Sequence, residues 1–158
     1  MFDRSEVEGA VAAYVAIRER IEAGDGDWSD LTALFTDDMV YIDPAWGRVE
    51  GLDNVRAFMA ESMTGLEDWR FPISFTAIGG DDNDRVVIKW TQVLPNGARQ
   101  SGCSTLVYGG HGKFRYCDDL LNMVHVLDDM KSMHWRPAPG FTPPPAEPNR
   151  DFTVPPGA

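Results

Sequence analysis

Hydrophobic residues recur at helical spacing in four segments of the chain. The first segment predicts a helix over residues 6–23, and a short second helix follows Asp27. A third helix is predicted to end near Gly65, and a fourth covers residues 120–134. The inward positions of the first three helices are Val7, Ala10, Val11, Tyr14, Ile17 and Ile21, then Trp28, Leu31, Leu34 and Phe35, then Leu52, Val55, Phe58, Met59 and Met63.

Five other segments have the composition of β-strands. The first covers residues 39–43 and ends at Pro44, which cannot donate a hydrogen bond to a sheet. Turns rich in glycine, asparagine and aspartate separate the other four, as expected for hairpins. Those four strands cover residues 70–78, 85–94, 99–108 and 113–118. The pattern therefore predicts a curved antiparallel sheet.

The order of these elements predicts an α+β fold, with helices packed on the concave face of the sheet. The folded domain is expected over residues 1–135. Eight prolines fall within residues 136–158, so this tail cannot form a core of its own. Trp135, Phe141 and Phe152 are spaced between the prolines, which predicts an extended tail anchored on the protein surface.

Composition narrows the possible partners. The 158 residues are 43% hydrophobic and 25% charged, which is typical of one globular core. With 25 acidic against 14 basic residues the net charge is −11, and this charge disfavours nucleic acids and anionic membranes. No signal sequence or membrane span is evident, so a cytoplasmic location is expected. Cys103 and Cys117 are expected to remain free thiols there.

The element order resembles that of the nuclear transport factor two-like superfamily. Locally, Tyr14-Val15-Ala16, residues 31–38, Tyr41-Ile42-Asp43-Pro44 and Gly51 resemble ketosteroid isomerases and SnoaL-like polyketide cyclases. The resemblance covers residues 6–121 and implies a cone-shaped, cystatin-like α+β barrel. Because the superfamily includes isomerases, dehydratases, epoxide hydrolases, cyclases and binding proteins, the resemblance specifies the fold more closely than the activity.

The resemblance also implies a catalytic site. Asp43 resembles the general base of the isomerases, and Tyr14 resembles the phenol that stabilises an enolate oxygen. Asp119 resembles an acidic residue that follows the fifth strand in SnoaL-like cyclases, whereas Ser104 stands where isomerases carry a protonated aspartic acid. Enolisation or dehydration needs such a base and such a donor. Burial beside Trp46 is expected to raise the pKa of Asp43.

Each candidate catalytic residue has a structural alternative. Asp43 could cap the turn at Pro44 through its own backbone, and Tyr14 could be an ordinary core tyrosine. Asp119, together with Asp118, could cap the last helix.

Strand register decides whether Asp119 faces the interior. A four-residue hairpin loop over residues 109–112 places Ser104 opposite Cys117, so that both share a face with Asp119. A three-residue loop turns Asp118 to that face instead. The glycine-rich loop and the resemblance favour the first register.

Several large side chains are candidates for the wall of a substrate pocket, although each taken alone is better explained by plain core packing. The predicted contacts are Trp46, Phe58, Met59, Met63, Phe75, Trp90, Ser104 and Cys117. No group of His, Cys, Asp or Glu has metal-ligand spacing, so neither a metal nor a cofactor is expected.

These features predict a cofactor-free acid/base enzyme, an isomerase, dehydratase or cyclase that acts on a hydrophobic cyclic small molecule. One alternative is a non-catalytic binding or dimerisation module, favoured by the weak donor at Ser104. Another is epoxide hydrolysis, which would need water activated by Asp43 or Asp119. A homodimer is expected because Val87 and Val107 would otherwise leave the outer face of the sheet apolar.

Overall fold

The computed structural model describes residues 1–156, and over this range the chain forms three α-helices, one 3-10 helix and six strands. In chain order these are α1 (Arg4–Glu22), the 3-10 helix (Trp28–Leu34), β1 (Phe35–Asp43), β2 (Gly47–Glu50), α2 (Leu52–Ser62), β3 (Ile73–Gly79), β4 (Arg85–Val93), β5 (Arg99–Gly110), β6 (Lys113–Leu121) and α3 (Met123–Ser132). None of these helices is long and apolar enough to cross a membrane.

The six strands form one curved, open sheet in the order β2-β1-β6-β5-β4-β3. The α+β prediction is confirmed, but the sheet is mixed, because β1 and β6 run parallel while the other neighbours are antiparallel. A long stretch containing α2 and four strands separates β1 from β6, so the chain can return in the same direction. Local turn signals predict only hairpins between consecutive strands, so they do not reveal the parallel pairing of β1 with β6.

Strand β2 lies in a segment for which the sequence predicted neither a helix nor a strand. It pairs back onto β1, with Asp43 opposite Gly47. Gly47 has a φ of 76°, and a Cβ there would lie 2.4 Å from the carbonyl oxygen of Asn149. Glycine is therefore required both by the turn and by the close approach of the tail.

Two of the differences from the predicted element boundaries change the type of element. Phe35 was assigned to the second helix but begins β1, where its side chain is fully buried. Leu120 and Leu121 were assigned to the last helix but extend β6. Asn122 therefore caps α3, and its side chain accepts from the backbone N–H groups of Val124 and His125. The extension keeps β6 paired with β5 as far as Gly102.

The main core lies between the concave face of the sheet and the helices α1 and α2. Its fully buried members include Val7, Tyr14, Leu31, Phe35, Met39, Val55, Ile88, Leu106, Tyr108 and Phe114. A smaller cluster of Val40, Ile42, Val107 and Tyr116 occupies alternate positions of β1, β5 and β6. Val107 is only 2% exposed in the single chain, so it needs no partner for cover, and the homodimer stays a prediction.

Residues 136–156 cross the surface without a helix, and one bridge pairs Asn149 with Gly47. The Arg48 guanidinium holds the far end of this segment, since Nη1 donates to the carbonyl oxygens of Asp151 (3.2 Å) and Thr153 (2.7 Å).

Aromatic contacts hold the near end of the same segment. Trp135 packs edge-on against Trp69 and Phe141, with centroid distances of 6.4 and 5.1 Å. Phe152 was predicted as a third anchor, but its side chain is 57% exposed. Arg48 bonds to the backbone carbonyls on either side of Phe152, so it holds this end of the tail although the Phe152 ring is not buried.

Candidate active site

The register of β5 and β6 brings Ser104 directly opposite Asp119. The predicted pairing of Ser104 with Cys117 is displaced by two positions, because the chain reverses over residues 111–112 and the pairing is irregular around Tyr108. Side chains alternate with a period of two, so this displacement leaves the faces unchanged. Ser104, Cys117 and Asp119 share the inner face.

Asp119 is the centre of a hydrogen-bonded group. Tyr41 donates its hydroxyl to Oδ2 at 2.6 Å, and Ser104 donates its hydroxyl to Oδ1 at 2.5 Å. Ser104 in turn accepts from the indole Nε1 of Trp90 at 3.0 Å. The Cys117 thiol lies 3.7 Å from Oδ1. Both oxygens of this carboxylate are therefore fixed by side chains.

A glycine makes this arrangement possible. The indole of Trp90 lies against β5 at Gly102, where a Cβ would come within 2.2 Å of the ring. Any other residue at this position would push the ring away from Ser104.

Burial dominates the electrostatics of the group. The pKa of Asp119 is raised to about 6, chiefly by burial; the bonds from Ser104 and Tyr41 oppose the rise, the charge of Asp43 adds to it, and the charge of Arg18 opposes it. Burial also raises the pKa values of Tyr41 and Cys117 well above their ordinary range. Tyr41 and Cys117 therefore stay protonated at neutral pH, while Asp119 titrates close to it.

Asp43 is the last residue of β1, and it caps the turn at Pro44, which was the structural alternative to a catalytic role. Its Oδ1 accepts from the backbone N–H groups of Ala45 (2.7 Å) and Trp46 (2.8 Å). Within residues 1–156, no hydrogen bond reaches its Oδ2. Burial raises the pKa of the Asp43 carboxyl, although the two backbone bonds counteract this. The turn thus fixes one oxygen and leaves the other free.

The two carboxyl groups share a cavity of about 270 Å³, a volume near the lower end for pockets that hold small organic ligands. Of the predicted contacts, those in the cavity wall are Trp46, Phe58, Met59, Met63, Trp90 and Ser104. Within residues 1–156 no three His, Cys, Asp or Glu side chains are placed to hold a metal ion.

Three predicted site residues do not line the cavity. Tyr14 is buried in the core, where its ring packs edge-on against Phe114 at 6.2 Å. Cys117 is buried next to Asp119. Phe75 is 57% exposed and is corrected from a pocket residue to an outer-face residue.

A register shift in β3 explains the position of Phe75. Ile73 pairs with Trp90, whose ring points inward, but Phe75 pairs with Lys89 because the register slips between the two. Lys89 contacts Ser101 at an exposed position. The irregularity thus turns Phe75 to the outer face.

A family model described as the SnoaL-like domain matches residues 11–116. The chain belongs to this SnoaL-like family. No curated protein matches the sequence significantly.

Solved structures show the same fold at low sequence identity. A steroid delta-isomerase from Pseudomonas aeruginosa is 15% identical with a TM-score of 0.62, over 80% of this chain and 87% of that one. A putative SnoaL-like polyketide cyclase from Jannaschia sp. CCS1 is 16% identical with a TM-score of 0.61, over 76% and 90%. The epoxide hydrolase/cyclase-like enzyme SalBIII is 18% identical with a TM-score of 0.59, over 78% and 96%. At these identities the similarity shows the fold alone.

Sequence reasoning missed several cavity residues of this SnoaL-like domain. Tyr41 is the clearest, because it lies two positions before Asp43 in the same strand and so shares its face. Arg18 follows Tyr14 by four positions on α1, which places it on the buried stripe. The other missed wall residues include Trp28, Trp69, Phe71 and Gln92.

Arg18 is the cation in the wall of the cavity, and its side chain is buried. Its Nη2 donates to the carbonyl oxygen of Phe71 at 2.7 Å, and its guanidinium lies 4.6 Å from the centre of the Trp28 ring. Within residues 1–156, no carboxylate oxygen lies within 4.0 Å of this guanidinium.

The tail completes the wall of the SnoaL-like cavity. Phe141, Thr142 and Pro144 line it on the side of α3. A segment that the sequence separates from the domain by its proline content thus contributes to the candidate site.

Proposed function

We propose that this SnoaL-like protein is a cofactor-free acid/base enzyme that isomerises, dehydrates or cyclises a hydrophobic cyclic molecule. The supporting observation is that Asp43 and Asp119 share one largely apolar cavity but are held differently. Two carboxyl groups in different surroundings can divide the roles of base and acid.

Asp43 is the base in this proposal. Two backbone N–H groups fix its Oδ1, which leaves Oδ2 to accept a proton from the ligand. Because burial raises its pKa, the ionised carboxylate is a stronger base than an exposed aspartate.

Asp119 and Tyr41 act as the proton and hydrogen-bond donors in this proposal. With a pKa of about 6, Asp119 is partly protonated in weakly acidic to neutral solution. Once protonated, it can donate to the Tyr41 oxygen, so that the Tyr41 hydroxyl turns to a ligand oxygen. Tyr41 thereby takes the role that the resemblance implied for Tyr14.

The proton balance follows from these roles. Asp43 removes a proton from a carbon next to a carbonyl, and the electron pair moves onto the carbonyl oxygen, where Tyr41 donates to it. In an isomerisation, protonated Asp43 returns the proton to another carbon. In a dehydration, the hydroxyl leaves as water with a proton from Asp119, and the electron pair forms the new double bond.

Epoxide opening is a second candidate, because a base and an acid facing one cavity also suit that reaction. Asp43 would take a proton from water or from a ligand hydroxyl, and the oxygen of that water or hydroxyl would attack the epoxide carbon. Asp119 would protonate the epoxide oxygen as the carbon–oxygen bond breaks.

Turnover assays on the full chain test the proposal and separate the candidates. A two-ring β,γ-unsaturated ketone reports isomerisation, and a cyclic epoxide reports ring opening. Asp43→Asn should abolish whichever activity is present, whereas Glu8→Gln, an exposed change on α1, serves as the control. Ligand binding without turnover of any compound would favour the binding module.

We also propose that the protein is a cytoplasmic homodimer. The proposal rests on the acidic composition and on the sheet face opposite the helices, where Phe75 is exposed. Light scattering at micromolar concentration should give twice the mass of the chain, and a monomer would refute the proposal.

A further inference from the structure

Three side chains of the cavity wall carry buried polar atoms that have no hydrogen-bond partner within residues 1–156. These atoms are Nε of Arg18, Nε1 of Trp69 and Oε1 of Gln92. A buried polar group without a partner costs free energy, so such groups are rare in folded proteins. Their occurrence in one wall indicates that the cavity is built for a ligand with polar atoms of its own.

The charge of Arg18 indicates that one polar group of the ligand is anionic. Arg18 is only 3% exposed and makes no ion pair within 4.0 Å in the described chain. Its neighbours are the Phe71 carbonyl, the Trp28 ring and the Tyr14 hydroxyl, and Asp119 acts on its charge only from beyond ion-pair distance. A buried cation that lacks a direct ion pair favours an anionic partner. Gln92 is 2% exposed, and its amide can offer a donor or an acceptor beside that anion.

We propose that Arg18, with Gln92, forms an anion subsite, and that the ligand is a ring compound carrying a carboxylate or an acidic enol or phenol hydroxyl. The anionic group binds Arg18 while the ring lies among the aromatic residues of the wall. This inference rests on the proposed function only in taking the cavity as the ligand site. The carboxylates Asp43 and Asp119 repel the anion, which orients the ligand with its neutral part toward them.

Binding of two matched probes tests the subsite. 2-Naphthoate and its neutral amide, 2-naphthamide, have the same ring, and titration calorimetry on the full chain at pH 7.5 measures both. Wild type should bind the carboxylate at least tenfold more tightly, and Arg18→Gln should bring the ratio of the two affinities near one. A ratio near one in wild type, or an unchanged ratio in Arg18→Gln, overturns the proposal.

Control variants separate the charge at this site from charge in general. Arg20→Gln removes the same charge from the exposed side of α1, where Arg20 pairs with Asp30, and should leave the ratio unchanged. If Arg18→Gln does not fold, Gln92→Glu decides. It should weaken naphthoate binding at least tenfold without weakening naphthamide binding, and unchanged naphthoate binding refutes the subsite.

The same titration in Asp43→Asn separates this inference from the proposed function. The variant lacks the proposed base but keeps Arg18, so the preference for naphthoate should persist. Failure to find turnover would therefore count against the enzyme proposal alone, and loss of the preference in Arg18→Gln would still establish the anion subsite.

Discussion

The protein contains two tyrosine–carboxylate pairs of nearly equal length in different surroundings. Tyr41 donates to Asp119 at 2.6 Å within the cavity, and Tyr108 donates to Glu6 at 2.5 Å at the β5–β6 turn. The Tyr108 hydroxyl also accepts from the backbone N–H of Gly112 at 2.7 Å. The second pair therefore ties α1 to the hairpin, and neither of its residues lines the cavity that holds Asp43 and Asp119.

The surroundings of the two carboxylates give the same bond different consequences. Glu6 is exposed on the first turn of α1 and accepts a second bond from the backbone of His111 at 3.0 Å. Asp119 is half-buried beside Asp43, and burial raises its pKa to about 6. A tyrosine–carboxylate bond thus indicates a candidate catalytic group only where burial and a second carboxylate accompany it.

The largest expected effect comes from changing carboxylates to amides in both regions. Asp43→Asn should lower kcat/KM by about 10³-fold because it removes the proposed base. Its melting temperature should stay equal or rise, because the amide oxygen keeps the two turn bonds and a buried charge is lost. Glu6→Gln is the control and should keep kcat/KM within about twofold.

The opposite result would assign Asp43 a structural role. If Asp43→Asn retains turnover but melts well below wild type, then Asp43 serves as a turn cap, like the residues at the hairpin.

The pH dependence of stability should identify the cavity carboxylate. The folded state holds a proton on Asp119 up to about pH 6, whereas the unfolded chain loses it near the usual value of 3.8. The contribution of Asp119 to the free energy of unfolding is therefore greatest below pH 3.8 and falls between pH 3.8 and 6. The fall corresponds to at most about 3 kcal/mol.

Urea unfolding of wild type and of Asp119→Asn measures this contribution. The stability of wild type relative to the variant should fall as pH rises through that window and stay constant above it. A constant difference throughout would show that Asp119 titrates alike in both states.

Removing the tyrosine hydroxyl should affect turnover in one pair and stability in the other. Tyr41→Phe should lower kcat about tenfold to a hundredfold, because the ligand oxygen loses its donor. Tyr108→Phe should leave kcat unchanged but reduce the free energy of unfolding by about 1–3 kcal/mol, since it leaves hairpin groups unpaired. Equal effects of both changes on kcat would contradict a catalytic role for Tyr41 and a structural role for Tyr108.

The smallest effect is expected at the tail. Truncation after Trp135 removes Phe141 and Pro144 from the cavity wall. We expect about tenfold weaker binding of the naphthyl probes and a decrease in stability of about 1–2 kcal/mol from lost aromatic packing. Unchanged binding would show that the segment is not part of the site.

Periodicity predicted most of the fold because burial of one face fixes which positions are apolar. The glycine-rich loop and the family resemblance favoured the register that places Ser104 and Asp119 on one face. That face is kept although the pairing is displaced, since a shift of two positions preserves it. Periodicity failed at Phe75, because a register shift inside a strand leaves no distinct mark in the sequence.

The candidate site was harder to predict than the fold. Tyr14 and Tyr41 both occupy inward positions, and only the tertiary structure decides which hydroxyl meets Asp119. The parallel pairing of β1 with β6 brings Tyr41 beside Asp119, because Tyr41 is the register partner of Cys117. No local pattern encodes a contact between strands so far apart in the chain.

The titration of Asp119 measures the coupling between the two cavity carboxyl groups. Carbon-13 NMR of the Asp119 carboxyl should give a midpoint near pH 6 in wild type, and a lower midpoint in Asp43→Asn, because the charge of Asp43 raises the pKa of Asp119. A midpoint near 3.8 in wild type, or one that Asp43→Asn leaves unchanged, would contradict the claim that the two carboxyl groups act together in one cavity.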